Sequence, residues 1–164
     1  MVPARHLPAL SRSPGAVMTI SDFLSPNDVM VDVRAPDKRQ LLRELARKAA
    51  VALDLPAYQI AAELLKREEL GSTGTGGGIA IPHARMQGVT KPFGILAKLR
   101  QPIDFDAIDG HPVDLVFVLL LPADPKGEQL GALACVARKL REPAAVVRMR
   151  EAKDPAGLYA AISE

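Results

Sequence analysis

The sequence predicts an α/β domain, and three patterns carry that prediction. The stretch DVMVDV (Asp28–Val33) alternates apolar and polar residues as a half-buried strand does. It is followed by segments whose apolar residues recur at helical spacing. The run VDLVFVLLL (Val113–Leu121) is apolar nearly throughout, as in a central strand covered on both faces. Strands interleaved with helices argue for helices layered on a sheet rather than for a bundle.

The elements follow in chain order. The first helix is expected over Asp37–Leu53, where Leu42, Leu45, Ala46, Ala49 and Leu53 share a stripe with Pro36 at its head. A second, Ala57–Leu70, follows Pro56. GIAIPHA (Gly78–Ala84) supplies a strand of a few residues that Pro82 should close, because proline donates no ladder hydrogen bond. FGILAKL (Phe93–Leu99) is a further strand before the central one. Helical patterning then covers Lys126–Arg141, Ala144–Ala152 and Pro155–Ile162.

Residues 1–17 hold three prolines and no apolar periodicity, which predicts a flexible N-terminal tail ahead of a single domain at 18–164. Pro8, Ser11 and Ser13 interrupt any secretory core segment. Arg5 and Arg12 account for the whole excess of 21 basic over 19 acidic residues, so the domain itself carries no net charge and no basic footprint for nucleic acid. No apolar run is long enough to enter a membrane. The lone Cys135 excludes an intrachain disulfide and a cysteine-based zinc cluster, and fits a reducing cytoplasm.

The stretch REELGSTGTGGGIAIPHAR (Arg67–Arg85) places five glycines within eight residues, ahead of one histidine. It is not a nucleotide loop. Gly71 and Gly76 have P-loop spacing, but Gly77 stands where lysine is needed, and Ile79 stands where a dinucleotide fingerprint needs glycine. Successive glycines can nevertheless turn their N–H groups into an anion-binding nest, to which Ser72, Thr73 and Thr75 would add hydroxyls. The anion suggested by His83 is a phosphoryl group on its own ring. A neutral imidazole is a competent nucleophile near pH 7, and phosphoryl transfer asks mainly for positioning and charge stabilisation. An arbitrary histidine is more often structural, and here the glycine and hydroxyl context tips the balance.

Arg67 falls within about 60° of Ile60 and Leu64 on the helical wheel, whereas Lys66 and Glu69 point elsewhere. An arginine ending an apolar stripe reaches toward something polar, and the residues leave three partners open. It can hold phosphate oxygens, cap its own helix's last carbonyls, or pair with Glu63 or Glu68.

Together with PIDFDAIDGHPVDLVFVLLLPAD (Pro102–Asp124), this stretch resembles the enzyme IIA domain of the phosphoenolpyruvate:sugar phosphotransferase system, fructose/mannitol type. The nitrogen-related, stand-alone branch is the most similar, over roughly Ile20–Ile162. The resemblance implies a mixed parallel and antiparallel sheet flanked by helices on both faces. It implies that His83 takes a phosphoryl group, on Nε2, from a small HPr-like histidine phosphocarrier, and that Arg67 helps hold it. Ser72, Thr73, Gly74, Gly76 and Gly77 are the expected phosphoryl-binding residues. No cofactor and no metal is expected. Where many members carry a second active-site histidine, alignment puts Gln129, which hydrogen-bonds but carries no charge. That substitution weighs toward a cytoplasmic phosphocarrier acting on regulated targets. The alternatives are a sugar-specific relay to a IIB partner and a binding module that is never phosphorylated.

The remaining candidates are ordinary by their context. His111 sits in a DGHP turn, and His6 belongs to the tail. Asp104, Asp106 and Asp109 flank turns without the pattern of a calcium loop, Cys135 lies in an apolar helix stripe, and Asp124 precedes Pro125 as a helix cap would.

Overall fold

The computed structural model describes residues 18–124 and 127–164, with the backbone alone at 127–130. The expected tail at 1–17 lies outside the described residues. Two short 3-10 turns, Ile20–Asp22 and Pro26–Asp28, lead into strand β1 (Val29–Val33). Helices α1 (Lys38–Leu53) and α2 (Ala57–Glu69) come next, then β2 (Gly74–Gly76), β3 (Ile79–Ala80), β4 (His83–Met86), β5 (Phe93–Ile103) and β6 (Val113–Pro122). Helices α3 (Gly127–Lys139), α4 (Pro143–Glu151) and α5 (Pro155–Ser163) close the chain.

The strands form one mixed sheet in the order β1-β5-β6-β3-β2, with β4 also paired to β6. β5 runs antiparallel to β6, while β3 and β4 run parallel to it on its other edge. The continuous apolar character of β6 follows from covered faces on both sides. Val116, Val118 and Leu120 join Leu41, Leu45 and Ile60 of α1 and α2 in one core. Leu115, Phe117, Leu119 and Leu121 join Val136, Met149 and Leu158 of α3, α4 and α5 in the other. Cys135 packs in that second core at 9% exposure.

Local chemistry fixes the boundaries. Asp37 caps α1, its Oδ1 accepting from the N–H of Gln40 at 2.8 Å, so the helix begins just after the Pro36–Asp37 pair. Asp154 caps α5 in the same way on Gly157, with Pro155 at the first helical position.

The boundary that positions His83 differs from the sequence expectation. Pro82 does not end the strand region. Pairing with β6 pauses after Ala80 and resumes at His83, opposite Leu119. Pro82 donates nothing, but its carbonyl accepts from the N–H of Leu119 at 2.9 Å, which keeps the chain alongside β6. His83 therefore stands on a strand that is anchored to the centre of the sheet.

Candidate functional site around His83

Helix α2 ends with two charged residues that do different work. Arg67 is half-buried, and its Nη1 donates to the carbonyl of Gly71 at 2.8 Å. Glu68 is 9% exposed and accepts three donors. Thr73 supplies its N–H at 2.8 Å and its hydroxyl at 2.6 Å, and Lys38 supplies Nζ at 3.1 Å. Arg67 thus takes a capping contact on the loop after its own helix, and Glu68 pairs with Lys38 instead of Arg67. Lys38 also donates to the carbonyl of Phe105 and stands 5.0 Å from the centroid of that ring.

The glycine stretch is a tight hairpin in which several of the expected phosphoryl-binding donors have partners within the chain. Ser72 Oγ donates to the carbonyl of Phe105 at 2.5 Å and accepts from the N–H of Gly74 at 3.0 Å. Both donors of Thr73 go to Glu68. Gly76 pairs with Ile79 across β2 and β3, and Thr75 Oγ1 donates to the Ile79 carbonyl at 3.4 Å. Gly77 donates to Asp109 Oδ2 at 2.9 Å, while its carbonyl accepts from Arg150 Nη2 at 2.7 Å.

The glycines are needed for shape. Gly76, Gly77 and Gly78 turn with φ of 103°, 69° and 81°, in the region side chains avoid. Gly74 lets the strand approach Ala107, whose Cβ would lie 2.8 Å from a Cβ placed there.

His83 is partly exposed, at a cavity of about 370 Å³ that it shares with Glu63, Lys66, Arg67, Leu70 and Arg85. Lys66 was expected off the Arg67 face, yet it too lines this cavity. Nδ1 of the ring lies 2.8 Å from the carbonyl oxygen of Ile81. A carbonyl only accepts, so this contact assigns the proton to Nδ1 and the lone pair to Nε2. Burial lowers the pKa of the ring, and the cations of Arg67 and Arg85 lower it further, against the raising influence of the Ile81 carbonyl and Glu68. The lowered pKa favours the neutral imidazole at neutral pH, with Nε2 as its accepting nitrogen, and the residue lines a cavity whose other charged lining is three cations and one carboxylate.

The other candidates separate from this site. Gln129 lies in the first turn of α3, but its side chain is outside the described residues. His111 is exposed, and its N–H serves Asp109 Oδ1 at 3.0 Å. The two N–H donors, from Gly77 and His111, hold the Asp109 carboxyl below its ordinary pKa. Asp104 Oδ1 accepts from the N–H of Asp106 at 2.9 Å, a turn contact. Among the described residues no three His, Cys, Asp or Glu side chains gather as a metal site, and no helix is long and apolar enough to cross a membrane.

Residues 22–164 match the family model described as phosphoenolpyruvate-dependent sugar phosphotransferase system, EIIA 2, and the chain belongs to that family. Within it the chain is similar to nitrogen regulatory proteins. It shares 39% identity over 146 residues with the nitrogen regulatory protein of Bradyrhizobium diazoefficiens, covering 89% of this chain and 95% of that one. The crystal structure of nitrogen regulatory protein IIA-Ntr from Neisseria meningitidis superposes with a TM-score of 0.82 at 32% identity, over 87% of this chain and 98% of that one. At 14% identity, the fold also matches the Escherichia coli complex of mannitol enzyme IIA with phosphorylated enzyme IIB, with a TM-score of 0.71 over 84% of this chain and 95% of that one.

Proposed function

We propose that His83 accepts a phosphoryl group at Nε2 from an HPr-like histidine phosphocarrier, and that its phosphorylation state regulates partner proteins in the cytoplasm. The observation that carries this reading is the Nδ1 contact with Ile81, which leaves an unprotonated Nε2 at a cation-lined cavity. In the transfer the Nε2 lone pair forms a bond to phosphorus as the bond to the donor's ring nitrogen breaks. Arg67, Lys66 and Arg85 supply the positive charge that the arriving dianion requires. Adding roughly −1.5 to −2 charges at one ring changes which partners dock, without any large motion.

The nitrogen regulatory relatives support a regulator over a sugar relay. Gln129, standing in for a histidine, supports the same choice, because it offers no charged group to pass phosphate onward. A IIB-type acceptor, as in the mannitol complex of the same fold, is the second reading.

The test is incubation with phosphoenolpyruvate, enzyme I and the HPr-like carrier. The wild type should gain one phosphoryl group by mass, and His83→Ala should gain none. No gain in either would leave only the unphosphorylated binding module. Prompt onward transfer to a purified IIB protein would favour the relay.

A further inference from the structure

An unbroken series of hydrogen bonds joins a partly buried ion pair to the ring of His83. It starts at Lys38 Nζ, which donates to Glu68 Oε2 at 3.1 Å, with the Glu68 side chain only 5% exposed. The same oxygen accepts the N–H of Thr73 at 2.8 Å, and Oε1 accepts the Thr73 hydroxyl at 2.6 Å. The carbonyl of Thr73 accepts the N–H of Ile81 at 3.0 Å, and the carbonyl of Ile81 accepts from Nδ1 of His83.

Holding a hairpin does not by itself call for a buried charge. A neutral amide would accept from the Thr73 N–H without the desolvation cost that an ionised carboxylate bears. What the carboxylate adds is a negative charge at the far end of the series that reaches Nδ1 through Thr73 and the Ile81 carbonyl. The links are separate peptide groups, so the series transmits position and field and carries no proton.

We propose that Glu68, paired with Lys38, is a positioning residue for phosphoryl acceptance. Through Thr73 and the Ile81 carbonyl it holds the His83 proton on Nδ1, so that Nε2 faces the incoming group with its lone pair. This rests on His83 being the acceptor. As Nε2 bonds to phosphorus, the donor's nitrogen–phosphorus bond breaks and its electron pair stays with the donor ring. Nδ1 keeps its proton, and the positive charge spreading over the ring is met by the Ile81 carbonyl, with Glu68 behind it.

The test uses Glu68→Gln, which keeps size and acceptor but not charge, and Lys38→Met, at the more exposed end of the pair. Nitrogen-15 spectra of the His83 ring report which nitrogen holds the proton, and kinetics with the phosphorylated carrier separate kcat from KM. Both variants should move the ring proton away from exclusive Nδ1 occupancy and lower kcat by about tenfold or more, with KM little changed. Lys38→Arg should behave as wild type. Should Glu68→Gln fail to fold, Lys38→Met decides alone. A folded variant with the wild-type ring spectrum and wild-type kcat overturns the proposal. Wild-type protein that takes up no phosphoryl group overturns the acceptor reading instead, and the ring spectra still decide whether Glu68 sets the tautomer.

Discussion

His83 and Ile81 are joined by a hydrogen bond of 2.8 Å that turns one edge of the imidazole into the chain and leaves the other for chemistry. The ring is also harder to protonate than an ordinary histidine, first because it is buried and then because Arg67 and Arg85 stand near it. Phosphoryl acceptance should therefore rise with pH through a midpoint below 6.5 and be flat at neutrality and above. Initial rates of mass gain between about pH 5 and pH 8 test this. A midpoint at or above the ordinary value contradicts it. The sign for stability agrees: below that ordinary value the unfolded ring takes up a proton that the folded ring resists, so this group costs stability as pH falls.

Arg67 carries five N–H donors, of which one reaches Gly71. Arg67→Ala should retain the fold, losing one hydrogen bond worth about 0.5–1.5 kcal/mol. It should slow phosphoryl acceptance or shorten the life of the phosphohistidine by about tenfold or more. Arg67→Lys should recover part of that loss, since the charge survives and the planar fork does not. Single-turnover transfer and the decay of the phosphorylated protein measure both quantities. An alanine variant matching wild type in both would reduce Arg67 to a structural cap.

How much of this was legible beforehand depended on whether the partners lay close in sequence. The stripe Leu42, Leu45, Ala46 and Ala49 and the apolar run of β6 write their burial into their spacing, and each formed as expected. The domain's layered fold followed from them. His83 stood out because its neighbours suggested an anion, and the structure places it at a cavity with Lys66, Arg67 and Arg85. The contacts within the glycine stretch were not legible, for a physical reason. Gly77 donates to Asp109, 32 residues beyond it, and Ser72 to Phe105, 33 residues beyond it, and no local pattern announces such partners. Glu68 was hidden in a run of four charged residues, KREE, where only the fold distinguishes the one that turns inward. Pro82 read as a stop because its missing N–H is visible in sequence, whereas the Leu119 donor to its carbonyl is not.

Gly74 tests the reading of the glycine hairpin as shape rather than ligand contact. Its backbone is not in the left-handed region, so the cost of a side chain comes from crowding against Ala107 at 2.8 Å. Gly74→Ala should destabilise the fold by about 1–3 kcal/mol, the usual range for overpacking. Paired with Ala107→Gly, which removes the opposing Cβ, much of that loss should return. Urea unfolding of the two single variants and the double variant measures the coupling. A tolerated Gly74→Ala variant that nevertheless failed to accept phosphate would restore the ligand role.

Asp28 provides a stability prediction away from the site. It ends the 3-10 turn before β1, and the residue is 8% exposed. Burial raises its pKa above 3.8, and Lys48 on α1 only partly opposes that. A raised pKa in the folded state means that the folded protein holds the proton more tightly than the unfolded chain. The stability this group contributes is therefore present below 3.8 and lost as pH rises through the folded value. At neutral pH the protein carries a buried carboxylate that its surroundings disfavour. Asp28→Asn keeps the shape without the charge and should raise Tm at neutral pH, by about 2–4 °C for each kcal/mol gained in a domain of this size. The gain should vanish when melting is repeated below the ordinary carboxyl pKa. Lys48→Met should lower Tm at neutral pH in the wild type and have a smaller effect alongside Asp28→Asn, because the cation then has no carboxylate to offset. An Asp28→Asn variant less stable than wild type at neutral pH would mean that the carboxylate is better solvated than its burial implies.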